Sequence, residues 1–170
     1  GLPIRGVSIR INDPNEEGIG EICVAGDILM QGYYLDDSAT DQAIRGDWLY
    51  TGDLGRLNAD GNLIITGRSK DVIVLSNGKN IYPEEVEEHY EKSPYVKELC
   101  VMSLPDSSGP GDVLHAVVVP DMDEFRRRNQ TAISEMIRYE LDNRSKQLAS
   151  FMRIHSLHVR NEPLPRTVTR

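Results

Sequence analysis

Three short stretches of this chain gather the carboxylate, guanidinium, ammonium and glycine residues that could do chemistry. The first is Trp48-Leu49-Tyr50-Thr51-Gly52-Asp53-Leu54. A carboxylate such as Asp53 can accept from two neighbouring hydroxyls at once, and such charge-assisted bonds contribute roughly 1.5–3 kcal/mol each when water is excluded. The second is Gly67-Arg68-Ser69-Lys70-Asp71, followed by Gly78-Lys79-Asn80 and Pro83-Glu84-Glu85-Val86-Glu87. The guanidinium of Arg68 is permanently charged and forked, which suits phosphate oxygens. The third is the end, Leu164-Pro165-Arg166-Thr167-Val168-Thr169-Arg170. Local sequence admits plainer readings. Thr51-Gly52-Asp53 is also good turn chemistry, and Arg68 can form a surface ion pair worth little. Arg126-Arg127-Arg128 reads as the solvated side of a connection or short helix.

Other chemistries find less support. Cys23 and Cys100 lie far apart, each in an apolar strand-like run, and read as two buried free thiols of a reducing compartment. Neither forms a metal-type pair with a neighbouring Cys or His, and His89, His115, His155 and His158 show no ligand spacing, so no metal site is expected. Ser107-Ser108-Gly109-Pro110-Gly111 is glycine-rich, but it ends in no Lys-Ser or Lys-Thr pair and reads as a strand connection rather than a phosphate loop. The formal charge of −8 argues against general nucleic-acid binding. That charge is uneven: −6 up to Ser69 and −2 from Lys70 onward, with a locally basic stretch over 153–170.

The 170 residues are 39% apolar and 27% charged, a soluble globular composition sized for one ordinary domain or two small ones. Apolar runs such as Val117-Val118-Val119 fall far short of the roughly 20 residues that span a bilayer. No basic-then-apolar leader opens the chain, but Gly1-Leu2-Pro3 reads as the middle of a longer polypeptide.

The elements that must position these residues follow from patterning. Residues 20–26 alternate as a strand, and Asp36-Asp37-Ser38 leads into a short helix over 39–44. Asp60-Gly61 between Arg56-Leu57 and Leu63-Ile64-Ile65 signals a hairpin, as does Asn77-Gly78 between 72–75 and Asn80-Ile81. Pro83 followed by Glu84 and Glu85 opens a helix, with Val86 and Tyr90 as its apolar edge and Ser93-Pro94 as its end. Strands are expected over 96–104, 113–119 and 154–159. A helix is expected over 131–148, with Ile133, Ile137 and Leu141 on one face. The expected fold class is α+β. An antiparallel β-rich segment over 1–69 comes first, then a small α+β domain over 70–170 with a short sheet and two to three helices.

In order and spacing, Gly20-Glu21-Ile22, Gly32-Tyr33-Tyr34, Thr51-Gly52-Asp53-Leu54, Gly67-Arg68, Gly78-Lys79-Asn80 and Pro165-Arg166-Thr167 resemble the adenylate-forming superfamily. Its members include acyl-CoA synthetases, luciferases and peptide-synthetase adenylation domains. Within it, Val74-Leu75-Ser76-Asn77-Gly78-Lys79-Asn80 with Tyr82-Pro83 is most similar to bacterial long-chain fatty-acyl-CoA synthetases. The resemblance implies that residues 1–69 are the last part of a large N-terminal domain and that 70–170 form a mobile lid. Asp53 would hold the ribose and Arg68 ribose and phosphate. Lys70 would be the hinge, and Gly78 and Lys79 would lie close to the pantetheine arm of CoA.

It implies a two-step reaction: a carboxylate attacks the α-phosphate of ATP, pyrophosphate leaves, and the CoA thiol then displaces AMP. ATP/AMP, Mg²⁺ and CoA are the cofactors and substrates expected of the full-length parent, and the rest of the N-terminal domain its partner. The departure lies at the end. Arg170 stands where the family has glycine, and the family's adenylation lysine would come just beyond Arg170, so no catalytic residue is assigned and the chain alone is expected to be inactive. Alternatives are a ligase or adenylation domain whose acceptor is an acyl-carrier or peptidyl-carrier protein, and a non-catalytic binding module that keeps the lid fold. A cytoplasmic setting is expected, with peripheral membrane association left open.

Overall fold

Glycines bracket the β-branched runs of this chain, and where φ must be positive or two backbones must approach, they set the strand ends. The computed structural model describes residues 1–76, 78–106 and 111–166. Asn77 of the second hairpin turn, residues 107–110 of the glycine-rich connection and residues 167–170 lie outside these. The fold is α+β and divides into two compact units, Gly1–Asp71 and Val72–Arg170.

The first unit is an antiparallel five-stranded sheet. Its strands are β1 (Val7–Asn12), β2 (Gly20–Gly26), β3 (Ile44–Arg45), β4 (Trp48–Leu57) and β5 (Leu63–Arg68). The order is β1-β2-β4-β3, and β5 also pairs with β4. β4 is therefore the spine: its first residues pair with β3 and its last with β5. The Asp60-Gly61 hairpin forms, with a longer turn than the dipeptide implies. Asn58 and Asn62 close it, and the Asn58 side chain accepts from the amides of Asp60 (3.0 Å) and Asn62 (2.8 Å). The helix expected over 39–44 is α1, Asp37–Ala43. It starts earlier because the Asp36 side chain accepts from the Ala39 amide at 2.8 Å and makes Asp36 the cap. β1 alternates apolar Val7, Ile9 and Ile11 with polar Ser8, Arg10 and Asn12, a strand pattern that is absent from the elements expected above.

The second unit begins with a two-strand ribbon, β6 (Ile73–Val74) and β7 (Asn80–Ile81), and continues into α2 (Pro83–Glu91). Pro83 occupies the first turn of α2, Glu84 and Glu85 face the positive end of its dipole, and Val86 and Tyr90 are buried. β8 (Val96–Pro105), β9 (Asp112–Pro120) and β10 (Ile154–Val159) form a sheet in the order β10-β9-β8. β8 runs antiparallel and β10 parallel to β9. Alternate residues Leu114, Ala116 and Val118 of the central strand enter one core with Val86, Tyr90 and Ile137.

Two helices lie between β9 and β10: α3 (Met122–Arg127) and α4 (Ile133–Ser145). α4 buries Ile137 and Leu141, while Ile133 packs half-buried at the rim. α3 gives the arginine run a definite role. Arg127 and Arg128 both pair with the buried carboxylate of Glu124, and the Arg128 guanidinium stacks over Tyr95. Cys23 is buried as expected, but Cys100 is only half-buried, since it lies on edge strand β8. Burial pushes both thiols above the ordinary cysteine range. No helix among the described residues is long and apolar enough to cross a membrane.

Ile137 is fully buried and Tyr139, on the same helix, is 63% exposed. Ile137→Ala is therefore expected to lower unfolding free energy by about 2–5 kcal/mol. Tyr139→Ala should change it by no more than about 0.5 kcal/mol. Urea titration followed by far-UV circular dichroism reads both.

Candidate functional site

The site is built on a break in the β2–β4 ladder. Glu21 pairs with Leu54 and Cys23 with Tyr50, so Thr51, Gly52 and Asp53 all stand opposite Ile22 alone. A ladder cannot bond every amide across such a bulge, and an unpaired buried backbone group is costly. Side chains make good the deficit. The Glu21 carboxylate accepts from the Gly52 amide at 3.0 Å, and the Thr51 hydroxyl donates to the Ile22 carbonyl at 2.8 Å. The same hydroxyl accepts from the Asp53 amide at 3.0 Å. Gly52 carries the turn at φ +74°, a conformation that other L-residues rarely adopt. Its carbonyl accepts from the Ser69 amide at 2.9 Å, which fastens the end of β5 to the bulge.

The strand leaves the bulge with Asp53 in register with Arg68 on β5. Their side chains meet: Arg68 Nε lies 3.0 Å from Asp53 Oδ1. Among the described residues the second carboxylate oxygen and the two terminal guanidinium nitrogens bond nothing else. Both groups are open to solvent, with the Arg68 side chain 63% and the Asp53 side chain 40% exposed. An ion pair so exposed stabilises the fold by about 0–1 kcal/mol.

Arg68 lines a depression of about 490 Å³ together with Glu21, Arg45, Tyr50, Gly52 and Lys70. Asp53 is not in its lining and reaches it through Arg68. The Arg45 guanidinium lies 4.4 Å from the centre of the Tyr50 ring. Arg10 donates to the Tyr50 hydroxyl at 2.9 Å and lies over Trp48 at 4.4 Å. Of the cations that line the depression, Arg45 is held on an aromatic face, that of Tyr50, which Arg10 bonds from outside the lining.

Asp53, Arg68 and Lys70 belong to the Gly1–Asp71 unit; Gly78 and Lys79 belong to the second. Gly78 sits at φ +77° between β6 and β7, its amide donating to the Leu75 carbonyl at 2.8 Å. A side chain built there would meet nothing within 4 Å, so the backbone of this turn is open to close approach. The Lys79 ammonium lies 5.4 Å from the centre of the Phe151 ring. His115 is bonded to Ser156 at 2.8 Å and takes no part in either group. Among the described residues no cluster of His, Cys, Asp or Glu could hold a metal ion.

Sequence reasoning missed the supports. Glu21 appears in a recognisable string, but its partner is 31 residues away and nothing local announces it. The doubled role of Thr51 depends on the bulge, which no periodicity reveals.

The α+β architecture, an antiparallel β-rich part followed by a small helix-bearing unit, is that of the C-terminal part of AMP-binding enzymes. Residues 85–170 match the AMP-binding enzyme C-terminal domain, and the chain belongs to this family. It is 35% identical over 139 residues to the long-chain-fatty-acid–CoA ligase FadD13 of Mycobacterium tuberculosis, a match covering 79% of this chain and 27% of that protein. Among solved structures it resembles O-succinylbenzoate coenzyme A synthetase (MenE) from Bacillus subtilis in complex with AMP. There the TM-score is 0.80 at 32% identity, covering 99% of this chain and 33% of the other. The amide bond synthetase McbA from Marinactinospora thermotolerans superposes with a TM-score of 0.73 at 26% identity, covering 95% and 32%. The chain spans about a quarter to a third of the length of these relatives.

The bulge and the ion pair can be separated by their effect on stability. Asp53→Ala should change the unfolding free energy of the first unit by less than about 1 kcal/mol. Gly52→Ala forces a side chain into the left-handed region and should cost about 1–2 kcal/mol. Trp48 lies on β4 and its fluorescence during urea unfolding reports both.

Proposed function

We propose that this chain supplies the ribose-phosphate grip and the lid of an ATP-dependent, AMP-forming acid–thiol ligase acting on fatty acids. The observation that carries the reading is the Asp53–Arg68 pair. An acceptor and a forked donor meet at 3.0 Å across adjacent strands, with bonding capacity left over. A pair this exposed adds little to stability, so its geometry suits a ligand better than it suits the fold. Asp53 accepts from the ribose hydroxyls and Arg68 donates to ribose and phosphate oxygens. Lys70 is the hinge between residues 1–69 and 70–170. The open Gly78 turn, with Lys79, lies along the path of the pantetheine thiol.

The chemistry proceeds in two steps in the full-length enzyme. The carboxylate displaces pyrophosphate from ATP, and the acyl-adenylate then passes its acyl group to CoA with release of AMP. Mg²⁺, when bound with ATP, would neutralise the charge of the departing pyrophosphate, and no cluster among the described residues of this chain would hold it. The partner of the first unit is the remainder of a large N-terminal domain. In support, Ile28, Tyr34, Leu35 and Ile65 are each more than 60% exposed, while Ile19, Ile22 and Cys23 are the unit's buried apolar side chains. Apolar side chains left so open are what a covering domain would bury. The fatty-acyl assignment rests on the likeness to FadD13, and CoA as acceptor on FadD13 and MenE.

Incubating the full-length enzyme with a fatty acid, ATP and Mg²⁺, and with either CoA or an acyl-carrier protein, tests the acceptor. Acyl-CoA is the expected product, and an exclusive acyl-carrier product would overturn the CoA assignment. In the same enzyme Asp53→Ala should reduce kcat/KM for ATP by about 10²-fold or more. His115→Ala should leave it unchanged, and equal losses would remove the site assignment. The isolated chain holds the grip only in solvent, so isothermal titration with ATP should give no Kd tighter than about 1 mM, equivalent to roughly −4 kcal/mol.

A further inference from the structure

The segment after β10 does not simply trail away. Its first residue continues the strand pairing, with the Arg160 amide donating to the Val118 carbonyl at 3.0 Å. The chain then passes from the β10 edge of the sheet, across β9, to β8 on the other side. There it meets one carboxylate. Glu98 Oε2 accepts from the Leu164 amide at 2.8 Å, and Glu98 Oε1 accepts from Arg166 Nη2 at 2.9 Å. These partners are 66 and 68 residues away in sequence. The Glu98 side chain is only 16% exposed.

We propose that Glu98 is a positioning residue whose carboxylate clamps the Leu164–Arg166 stretch onto β8 and so sets where the chain beyond Arg166 leaves the second unit. The two arms differ in kind. The amide bond fixes the backbone at Leu164, and the guanidinium bond fixes the direction of the next two residues. A glutamate is the side chain for this task because it offers two acceptors a fixed distance apart and no donor. Glutamine keeps one acceptor and turns an N–H toward a donor; aspartate is one methylene too short to reach both. The carboxyl of Glu98 lies below the ordinary glutamate range, chiefly because it accepts from the Leu164 amide. Partial burial opposes this, and Arg166 and Lys97 add to it. The clamp itself stands on geometry alone. Its consequence for catalysis, that the held segment delivers the terminal loop to adenylation, rests on the proposed function.

The test has two arms. In the 170-residue chain, amide hydrogen exchange read by NMR should be faster at Leu164 by about tenfold or more in Glu98→Ala, with the β9 amides unchanged. Arg166→Ala should leave most of that protection, and Glu98→Gln should fall between. An unchanged Leu164 in Glu98→Ala, or an equal rise throughout β9, overturns the clamp. In the full-length enzyme, Glu98→Ala should lower kcat for acid-dependent ATP–pyrophosphate exchange about tenfold. Thioester formation from supplied acyl-adenylate should be unaffected. A matching loss in both half-reactions would show general damage and overturn the positioning role. If the unaltered full-length enzyme exchanges no pyrophosphate, the ligase reading fails while the Leu164 result still decides the clamp.

Discussion

A single irregularity organises the first unit: three residues of β4 facing one residue of β2. Without that bulge, the register set by Tyr50 and Cys23 would carry Asp53 along to face Gly20 instead of Ile22. Three residues facing one is an insertion of two, so the alternation of faces, with its period of two, is kept while the ladder shifts along the strand. The insertion therefore chooses how far along β2 the carboxylate stands. Glu21 and Thr51 keep the choice in place by bonding the backbone groups that the broken ladder leaves over. Gly52 accepts the torsion angle that the insertion demands.

The exposure of the Asp53–Arg68 pair carries a consequence for how binding energy is distributed. In water its members attract each other weakly and are screened within about 10 Å at ordinary salt. Closing a low-dielectric surface over them would strengthen every contact they make. On the proposed reading, a grip of this kind would hold a ligand poorly when open and well when covered, and a covering element would act as the switch for affinity. Aromatic support of the nearby cations serves the same end. Arg45 on Tyr50 and Arg10 on Trp48 are already oriented, which on the proposed reading would lower the entropy cost of binding.

Much of the scaffold was legible in sequence, and the reasons are local. Strand β10 was bounded at Ile154 and Val159 because β-branched and alternating residues are flanked by breaks. Helix α2 was readable from Pro83 and two carboxylates, whose preference for a first turn needs no tertiary partner. The boundary errors have local causes as well. Capping by Asp36 moved the start of α1, and Asn58 lengthened the turn at Gly61. What escaped was non-local. The bulge at Gly52, the burial of Glu124 beneath two arginines and the reach of Glu98 to Leu164 all depend on chain segments meeting after folding. The proximity of Asp53 and Arg68 could be suspected from the hairpin between them, because a hairpin brings its outer ends together.

The net charge of −8 now has a structural explanation beyond solvation. Several carboxylates accept from backbone amides at places where regular structure stops. Glu21 bonds Gly52 at the bulge, Asp36 and Asp121 bond the first turns of α1 and α3, and Glu98 bonds Leu164 beside β8. Glu87 of α2 bonds the Val101 amide on the unpaired edge of β8 at 2.7 Å, where a neighbouring strand would otherwise supply the acceptor. An anion accepting from an amide makes a stronger bond than a neutral acceptor does. Such a bond also protects an exposed edge from pairing with another chain. Removing one of these acids would leave an amide without its partner, a loss felt locally rather than across the surface potential. The acidic excess is thus partly a set of fixed caps, and the depression that holds Arg45, Arg68 and Lys70 is lined by cations as well as by acids such as Glu21 and Asp71.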